Sequence, residues 1–225
     1  RGDVRHFIEA VVWILRSGAP WRDLAKGFGN WQSIYRRYRR WALDGRWERL
    51  RQTLGFVARP KLLLIDSTIV KAHAHAAGAL RRMGHQAFGR SRGGFTTKLH
   101  AVVNEYGGLI RYLLTGGETA DITQARGLLR YRRVGVVADR AYDSDALVEH
   151  VESLDSRVVI PSRSNRRVPR TLDKEAYKQR NAIERWFGGL KIFRRIATRY
   201  EKTTRSYLGA VAMASWLIVL TGWHA

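Results

Sequence analysis

Residues 61–66 read KLLLID, four consecutive aliphatic residues followed by an aspartate. A short apolar run of this kind is typical of a strand buried on both faces of a sheet. The pattern recurs at residues 134–139, VGVVAD, where an apolar run again stops at an aspartate. Because ligands bind at the carboxyl ends of strands in open α/β sheets, Asp66 and Asp139 are candidate site residues. Either aspartate alone is more often structural, since a strand-end aspartate commonly caps a turn or a helix.

The segments around these two runs alternate between strand and helix patterns. Residues 96–104 and 109–114 read as strands around the turn sequence EYGG, which predicts a hairpin. Helices are predicted at residues 122–131, 145–154 and 173–196, a strand at residues 157–160, and a basic loop at residues 161–170. This order predicts an α/β fold, a mixed sheet with helices packed on it.

Residues 1–57 carry helical patterns instead. Apolar residues recur at helical spacing from Ile8 to Leu15, and residues 17–20 (SGAP) end that helix. A second helix is predicted to begin at Asn30, a residue type favoured as an N-cap. Its polar surface carries four arginines, for which we expect DNA contact or, alternatively, simple solvent exposure: Arg36, Arg37, Arg39 and Arg40. The sequence thus predicts a small all-helical basic domain over residues 1–57, followed by the sheet domain over residues 58–225.

Charge narrows the class of partner. The chain has 41 Lys and Arg against 19 Asp and Glu, a net charge of +22, which favours a polyanion such as DNA. It has no cysteine, which excludes disulfides and cysteine-based zinc sites. The most apolar stretch, residues 207–220, is shorter than the roughly 20 residues that a membrane span needs, so we expect a cytoplasmic protein with no membrane partner. The chain begins at Arg1 within a helical pattern, and we expect its natural start to lie upstream.

The helix predicted over residues 173–196 carries a polar stripe. Tyr177, Arg180, Glu184 and Lys191 stand at offsets 0, 3, 7 and 14. At about 100° per residue, these offsets fall within a ~60° arc, so all four side chains would project in one direction. A solvated face with an Arg–Glu pair is the alternative explanation.

Three carboxylates on separate elements suit metal-dependent phosphoryl transfer. Hard divalent cations prefer oxygen ligands, and two such ions about 3.5–4 Å apart can activate an attacking oxygen and stabilise a leaving one. Asp66, Asp139 and Glu184 are therefore the candidate catalytic and metal-binding residues. Zinc is less favoured, because close histidine spacing is limited to His73 and His75. For that pair, a metal or DNA-phosphate role and ordinary packing remain alternatives.

Several long motifs resemble the DDE transposases of bacterial insertion sequences, in particular the IS-five family. The spacing Tyr177-x₂-Arg180-x₃-Glu184-x₆-Lys191 matches the signature of that class. The surrounding sequence is also similar: RNAIERWFGGLKIFRRIATRYEKT at residues 180–203, LLIDSTIVKAHAHAAGA at 63–79, SRGGFTTKLHAV at 91–102 and VVADRAYDSDAL at 136–147. Residues 7–41 resemble the helical region that precedes the catalytic core in that family.

The resemblance carries expectations beyond those read from the residues. It implies a ribonuclease-H-like fold, with the first aspartate on the first strand, the second after the fourth and the glutamate on a late helix. It implies two Mg²⁺ or Mn²⁺ ions, action on terminal inverted repeats and target DNA, and a homo-oligomer on DNA. It also implies that Tyr177, Arg180 and Lys191 contact DNA.

The expected function is DNA transposition: metal-dependent cleavage at the element ends, then transfer of the 3′-hydroxyl into target DNA. Two alternatives stay open at this point, a DNA-binding protein without catalysis and a nuclease that cuts but does not join. Asp121 and Asp143 are further acids in the matching segments, and we expect them to support the site rather than to form it.

Overall fold

The computed structural model describes residues 3–55, 59–77 and 86–222. The helices are α1 (Val4–Ser17), α2 (Trp31–Leu43), α3 (Arg46–Gly55), α4 (Ala74–Ala77), α5 (Ile122–Leu128), α6 (Asp145–Ser153), α7 (Lys174–Lys178), α8 (Asn181–Lys191), α9 (Arg194–Ala197) and α10 (Thr204–Thr221). The strands are β1 (Leu62–Ala72), β2 (Gly89–Ser91), β3 (Gly94–Asn104), β4 (Leu109–Gly116), β5 (Gly135–Val137), β6 (Arg157–Val159) and β7 (Thr198–Arg199).

The N-terminal helices form where the sequence predicts them. The apolar stripe of α1 is buried, and the helix ends at Gly18, whose φ of 75° is in the left-handed region that glycine adopts readily. α2 begins directly after Asn30, whose Oδ1 accepts hydrogen bonds from the backbone N–H groups of Gln32 and Ser33. The predicted N-cap is therefore confirmed.

The sheet is mixed and has helices on both faces, as predicted. Its strands run in the order β2-β3-β1-β5-β6, with β4 also paired to β3 and β7 to β1. β3 is antiparallel to β1 and β4, which gives the predicted hairpin. β5 is parallel to both β1 and β6, a pairing that requires crossover connections through helices. The ribonuclease-H-like arrangement implied by the resemblance is thus present: the first aspartate is on β1 and the glutamate is on the late helix α8. The second aspartate follows β5, the strand parallel to β1, which is the fifth strand rather than the expected fourth because the short β2 precedes β3.

Two apolar clusters cover the two faces of the sheet. One cluster joins β1, β3 and β5 to α8 and α10 and also takes in the N-terminal helices, including Tyr38 and Trp47. The other joins the opposite face of the same strands to α5 and α6. The N-terminal helices therefore share a core with the sheet. The predicted domain boundary at residue 57 lies outside the described residues, and the division into two domains stays a prediction.

The strand that carries Asp66 is longer than the sequence indicates. We predicted that it ends at Asp66, but β1 continues to Ala72. The reason is its pairing with β3, which runs without interruption from Leu63 opposite Asn104 to Lys71 opposite Thr96. Polar residues follow Asp66, so the sequence pattern does not predict this continuation. Their strand conformation depends on pairing with β3, which lies far along the chain.

The prediction of a single helix over residues 173–196 is wrong. The segment forms three helices, α7, α8 and α9. Between α7 and α8, successive backbone N–H groups bond to carbonyls three residues back, as in a 3₁₀ helix, which overwinds the chain around Arg180. A second break falls at Phe193, which is extended (φ −82°, ψ 97°) and fully buried.

The remaining predicted elements are present with ends moved by up to three residues, a difference common at element ends. Among the described residues, no helix combines the length and apolar character needed to cross a membrane.

Candidate active site

The site lies where strand β5 ends and its parallel neighbour β1 continues. Leu64 on β1 pairs with Val137, the last residue of β5. Asp66 and Asp139 each come two residues after this pair, so their side chains share one face of the sheet at one edge. β1 continues past this point. On the side of β1 that pairs with β5, the next strand partner among the described residues is β7, which begins opposite Lys71. A gap in the pairing of β1, here called the crevice, is therefore left beside Asp66 between β5 and β7.

Asp66 lies in a partly desolvated, acidic environment. Its side chain is 24% exposed, and Oδ1 accepts a hydrogen bond of 2.7 Å from the Ser67 N–H. The pKa of Asp66 is raised to about 6, mainly by burial and also by the charges of Asp139 and Asp121, while the Ser67 N–H and Arg180 oppose this shift. A carboxyl whose ionisation is opposed by burial and by neighbouring acids is stabilised by any cation that approaches it.

Asp139 is fixed by the turn that follows it. Its Oδ1 accepts a hydrogen bond of 2.8 Å from the Ala141 N–H and so caps the 3₁₀ turn Arg140–Tyr142. At the end of this turn, Tyr142 is 1% exposed. Its pKa is raised by burial and then by the charges of Asp121, Asp66 and Asp139.

Glu184 is connected to Asp66 through Arg180. Nη1 of Arg180 is 3.6 Å from Oδ2 of Asp66, and Nη2 donates to Oε1 of Glu184. Glu184 lies in the first turn of α8, and its side chain is 51% exposed. The guanidinium therefore stands between two of the three candidate acids, and its single positive charge is shared between them.

Among the described residues, no three His, Asp or Glu side chains stand at metal-ligand spacing. The structure brings Asp66 and Asp139 together, while Glu184 is held by Arg180. The donor set still fits a hard divalent cation, because it consists of carboxylate oxygens, and burial together with the charge of Asp139 already raises the pKa of Asp66. The position of Arg180 between Asp66 and Glu184 indicates that a cation is favoured there.

Of the other two residues of the predicted stripe, Lys191 lies on α8 and Tyr177 lies on α7. Lys191 lies two turns after Glu184 on α8 and lines a cavity of about 110 Å³ with Thr68 and Ile69, on the β1 segment that borders the crevice. Tyr177 lies on α7, before the overwound turn, and is half-buried against the core. The predicted common stripe therefore holds for the α8 residues and their neighbour Arg180, while Tyr177 belongs to a separate helix.

The four arginines of α2 divide between two sides of that helix. Arg36, Arg37 and Arg40 line one cleft together with Trp41 and Arg46. The guanidinium of Arg37 lies 4.4 Å from the centre of the Phe7 ring, which makes it partly a packing residue. Arg39 faces the other side, towards residues 203–206.

Two acids that the sequence ranked lower have distinct positions. Asp143 is buried and fully engaged: it accepts from the Arg163 N–H at 2.7 Å and pairs with the side chains of Arg166 and Arg170. It holds the basic loop 161–170 next to Asp139. Asp121 approaches the site itself, since its charge is felt by both Asp66 and Tyr142, and Nζ of Lys98 lies 2.9 Å from its Oδ1.

Sequence reasoning missed Lys98 and Tyr142. Tyr142 stands three residues after Asp139 and Lys98 within the matching segment 91–102, so both were visible as polar residues close to a motif. Their burial beside the acids was not visible, because it depends on the pairing of β1 with β3 and β5.

A mixed sheet that places one aspartate on its first strand and a second after the neighbouring parallel strand, with a glutamate on a late helix, defines a ribonuclease-H-like protein. Comparison with known families narrows this class. The family described as "Transposase DDE domain" matches residues 58–217, and the family described as "Putative transposase of IS4/5 family" matches residues 1–51. The chain belongs to the DDE transposase family of bacterial insertion sequences.

One of two similar proteins has a description that agrees with this assignment. The chain is 43% identical over 131 residues to a putative transposase for insertion sequence element IS6501 from Brucella ovis, covering 56% of this chain and 98% of that protein. It is 44% identical over 84 residues to the uncharacterized protein y4sN from Sinorhizobium fredii, covering 37% of this chain and 67% of that one.

Solved structures show a weaker similarity. The crystal structure of a pre-cleavage Mos1 transpososome is 14% identical, covers 100% of this chain and 81% of that chain, and has a TM-score of 0.32. The catalytic domain of Mos1 mariner transposase is 14% identical, covers 79% and 91%, and also has a TM-score of 0.32. The assignment to the family depends on the sequence matches.

Proposed function

We propose that this protein hydrolyses a phosphodiester bond at the ends of its own insertion element and then joins the freed 3′-hydroxyl to target DNA. One observation carries the proposal most directly: Asp66 and Asp139 each come two residues after a paired position of the neighbouring parallel strands β1 and β5, so both carboxylates lie on one face of the sheet at the ends of its strands. A carboxylate pair at this position suits phosphoryl transfer, because the developing negative charge needs cations held in fixed positions.

Two divalent cations, Mg²⁺ or Mn²⁺, would be held by Asp66, Asp139 and Glu184. They would supply Lewis-acid stabilisation of the phosphate and lower the pKa of the attacking water or hydroxyl. Asp139 is already oriented by its cap on the Arg140–Tyr142 turn, and Asp66 by the Ser67 N–H. In both residues one carboxylate oxygen is fixed by a backbone N–H, and Oδ2 would be the oxygen offered to a cation.

Arg180 would exchange partners when the acids take up cations. Its single positive charge is shared between Asp66 and Glu184 in the structure. With those charges balanced by divalent ions, its planar guanidinium would be free to donate to oxygens of the DNA phosphate, an acceptor that it matches in a bidentate manner. Tyr177 on α7 and Lys191 at the far end of α8 would contact the same strand on either side of Glu184.

The wider DNA interface would include the arginines of α2. Arg36, Arg40 and Arg39 are exposed, and Arg37 contributes charge at the same helix. The substrates of this activity would be terminal inverted repeats and target DNA. Because that DNA belongs to the nucleoid, the protein would act in the cytoplasm at the nucleoid. Two element ends must be cut in one reaction cycle, so we propose that the protein acts as a homo-oligomer on DNA.

A cleavage and strand-transfer assay tests this function. The substrate is DNA that carries the element end, taken from the sequence flanking the gene, with Mg²⁺ or Mn²⁺ present. Asp66→Asn, Asp139→Asn and Glu184→Gln should bind this DNA as the parent does and lose both cutting and joining by at least about 10³-fold, because each removes a charged ligand to the cations. Glu175→Gln is the matched control, since Glu175 is an exposed acid on α7 that pairs with Lys178.

The outcomes separate the candidates. Retained activity in all three acid variants would show that the site is not the catalytic one. Cutting without joining would indicate a nuclease, and binding without either reaction under every metal condition would indicate a DNA-binding protein.

A further inference from the structure

The basic loop 161–170, between β6 and α7, folds back onto the turn Arg140–Tyr142 that Asp139 caps. Its own ends are tied together, because Oγ of Ser162 accepts a hydrogen bond of 2.9 Å from the Arg170 N–H. The side chains that bond to the turn or to Asp143, the residue after it, are Arg163, Arg166 and Arg170. Much of the positive charge of this loop is therefore used within the protein, next to one of the candidate acids.

Asp143 anchors the loop. Its side chain is fully buried, and its Oδ2 accepts a hydrogen bond of 2.7 Å from the backbone N–H of Arg163. Its Oδ1 accepts from the guanidinium groups of Arg166, at 3.0 Å, and Arg170. A buried carboxylate with a cationic partner and several donors is held firmly. Asp143 thus fixes the backbone position from which the Arg163 side chain extends.

The Arg163 side chain reaches back to the turn and bonds to two successive carbonyls. Its Nε donates to the carbonyl oxygen of Arg140 at 3.3 Å, and its Nη2 donates to that of Ala141 at 2.8 Å. The Arg140 carbonyl and the Ala141 N–H belong to one peptide group, and this N–H donates to Oδ1 of Asp139 at 2.8 Å. A chain of hydrogen bonds therefore runs from the guanidinium, through one peptide group, to the carboxylate. Each bond in such a chain polarises the next.

We infer that Arg163 is a positioning residue for Asp139: it holds the peptide group that fixes Oδ1, so that Oδ2 is presented to a divalent cation. The inference rests on the proposed function, in which Asp139 is a cation ligand. The role requires the planar fork of arginine, because two nitrogens meet two carbonyls at once, whereas lysine carries the same charge on a single nitrogen. Groups that orient metal ligands typically contribute 10–100-fold to metal affinity or activity.

Mn²⁺ affinity, measured by calorimetry on the full chain without DNA, tests this role. Arg163→Lys should bind Mn²⁺ about tenfold more weakly than the parent, at the lower end of the usual range because Arg163 is exposed. The exchange keeps the positive charge, so a change in repulsion between the loop and the cation does not explain a loss. Arg167→Lys is the matched control: it makes the same exchange at another exposed arginine of the loop and should bind Mn²⁺ as the parent does.

A double-mutant cycle shows whether Arg163 acts through Asp139. In an Asp139→Asn background, Arg163→Lys should change Mn²⁺ affinity by less than about twofold, because the carboxylate that Arg163 positions is already gone. A general loosening of the fold would instead weaken Mn²⁺ binding equally in both backgrounds.

The outcomes separate this inference from the proposed function. Parent-like Mn²⁺ binding by Arg163→Lys, or an equal loss in both backgrounds, would overturn the positioning role. The proposed function depends on the single variant Asp139→Asn: if that protein binds Mn²⁺ as tightly as the parent, Asp139 is not a cation ligand and the proposed metal site fails. Weak Mn²⁺ binding by Asp139→Asn together with parent-like binding by Arg163→Lys rejects the positioning role alone.

Discussion

At the residue scale, the clearest consequence concerns Asp66. Its pKa is raised to about 6 from an ordinary value of 3.8, first by burial and then by the neighbouring acids Asp139 and Asp121. The folded protein therefore holds a proton at Asp66 more tightly than the unfolded chain does between about pH 4 and 6. Since stability falls with pH wherever the native state binds more protons, ionisation of Asp66 destabilises the fold across this window.

Asp66→Asn should remove this penalty. At pH 7 and without divalent ions, we expect the variant to be more stable than the parent, by up to about 3 kcal/mol for a shift of roughly two pKa units. Below about pH 4 the two proteins should be equally stable. Urea unfolding in EDTA across pH 4–7.5 measures the effect, with Glu152→Gln as a control at an exposed acid of α6. An Asp66→Asn protein that is less stable than the parent at pH 7 would contradict the burial argument.

Arg180 supports a second prediction, which links the acids to metal binding. Its guanidinium competes with any cation for Asp66 and Glu184. Arg180→Gln should therefore bind Mn²⁺ more tightly than the parent, by up to about tenfold, because an effect of roughly 1 kcal/mol is typical of such partly exposed pairs. The same variant should cut DNA more slowly, since the phosphate loses a donor. Calorimetric Mn²⁺ titration measures the first effect, and Arg185→Gln on the same helix is the control. Weaker Mn²⁺ binding in Arg180→Gln would mean that Arg180 helps to build the metal site.

At the scale of elements, local signals predicted the start of α2 and the end of α1 correctly. Asn30 caps α2 through its own side chain, and Gly18 ends α1 in the left-handed conformation. Both effects involve only neighbouring residues, so the sequence contains them in full. Asn30→Ala should lower the free energy of unfolding by about 1 kcal/mol, whereas Asn30→Asp should stay within a few tenths of the parent. Chemical denaturation of both variants measures this, and equal stability of Asn30→Ala and the parent would contradict a capping role.

The structural features that the sequence did not predict depend on contacts between distant segments of the chain. The extension of β1 past Asp66 depends on β3, about thirty residues later in the chain, and the break at Phe193 depends on burying that ring in the core. The two aspartates were identifiable because each closes an apolar run. The approach of Asp121 and Tyr142 to them was not, since it requires the sheet order.

At the scale of the whole molecule, the N-terminal helices and the catalytic sheet share one core, and Gly209 lies at their junction. A Cβ added to Gly209 of α10 would stand 2.8 Å from Cδ1 of Trp47 on α3. Gly209→Ala should therefore destabilise the protein by about 1–3 kcal/mol, even though alanine is the better helix residue.

The unfolding of this variant should remain a single transition. Tryptophan fluorescence and circular dichroism should report the same lowered midpoint, because the helices and the sheet lose their common core together. Gly127→Ala on α5 is the control: nothing lies within 4 Å of its added Cβ, so stability should be unchanged or slightly increased. Two separate transitions in Gly209→Ala, with only one of them shifted, would instead indicate that the N-terminal helices fold as an independent domain.

The charge of the whole molecule determines how it binds DNA. With a net charge of +22, the chain should displace many counterions from the phosphate backbone, and the logarithm of its affinity should fall linearly with the logarithm of salt concentration. We expect a loss of roughly 10³–10⁵ in affinity between about 50 and 200 mM salt, the range for six to ten phosphate contacts.

Arg36→Gln and Arg40→Gln should each reduce the slope by about one, because both arginines are exposed on the same side of α2. Arg130→Gln, an exposed arginine after α5, should leave it unchanged. Fluorescence anisotropy across a salt series measures the slopes. A slope near zero in the parent protein would contradict electrostatic binding, whereas a steep slope that Arg36→Gln and Arg40→Gln leave unaltered would move the DNA path away from α2 and towards the crevice beside Asp66.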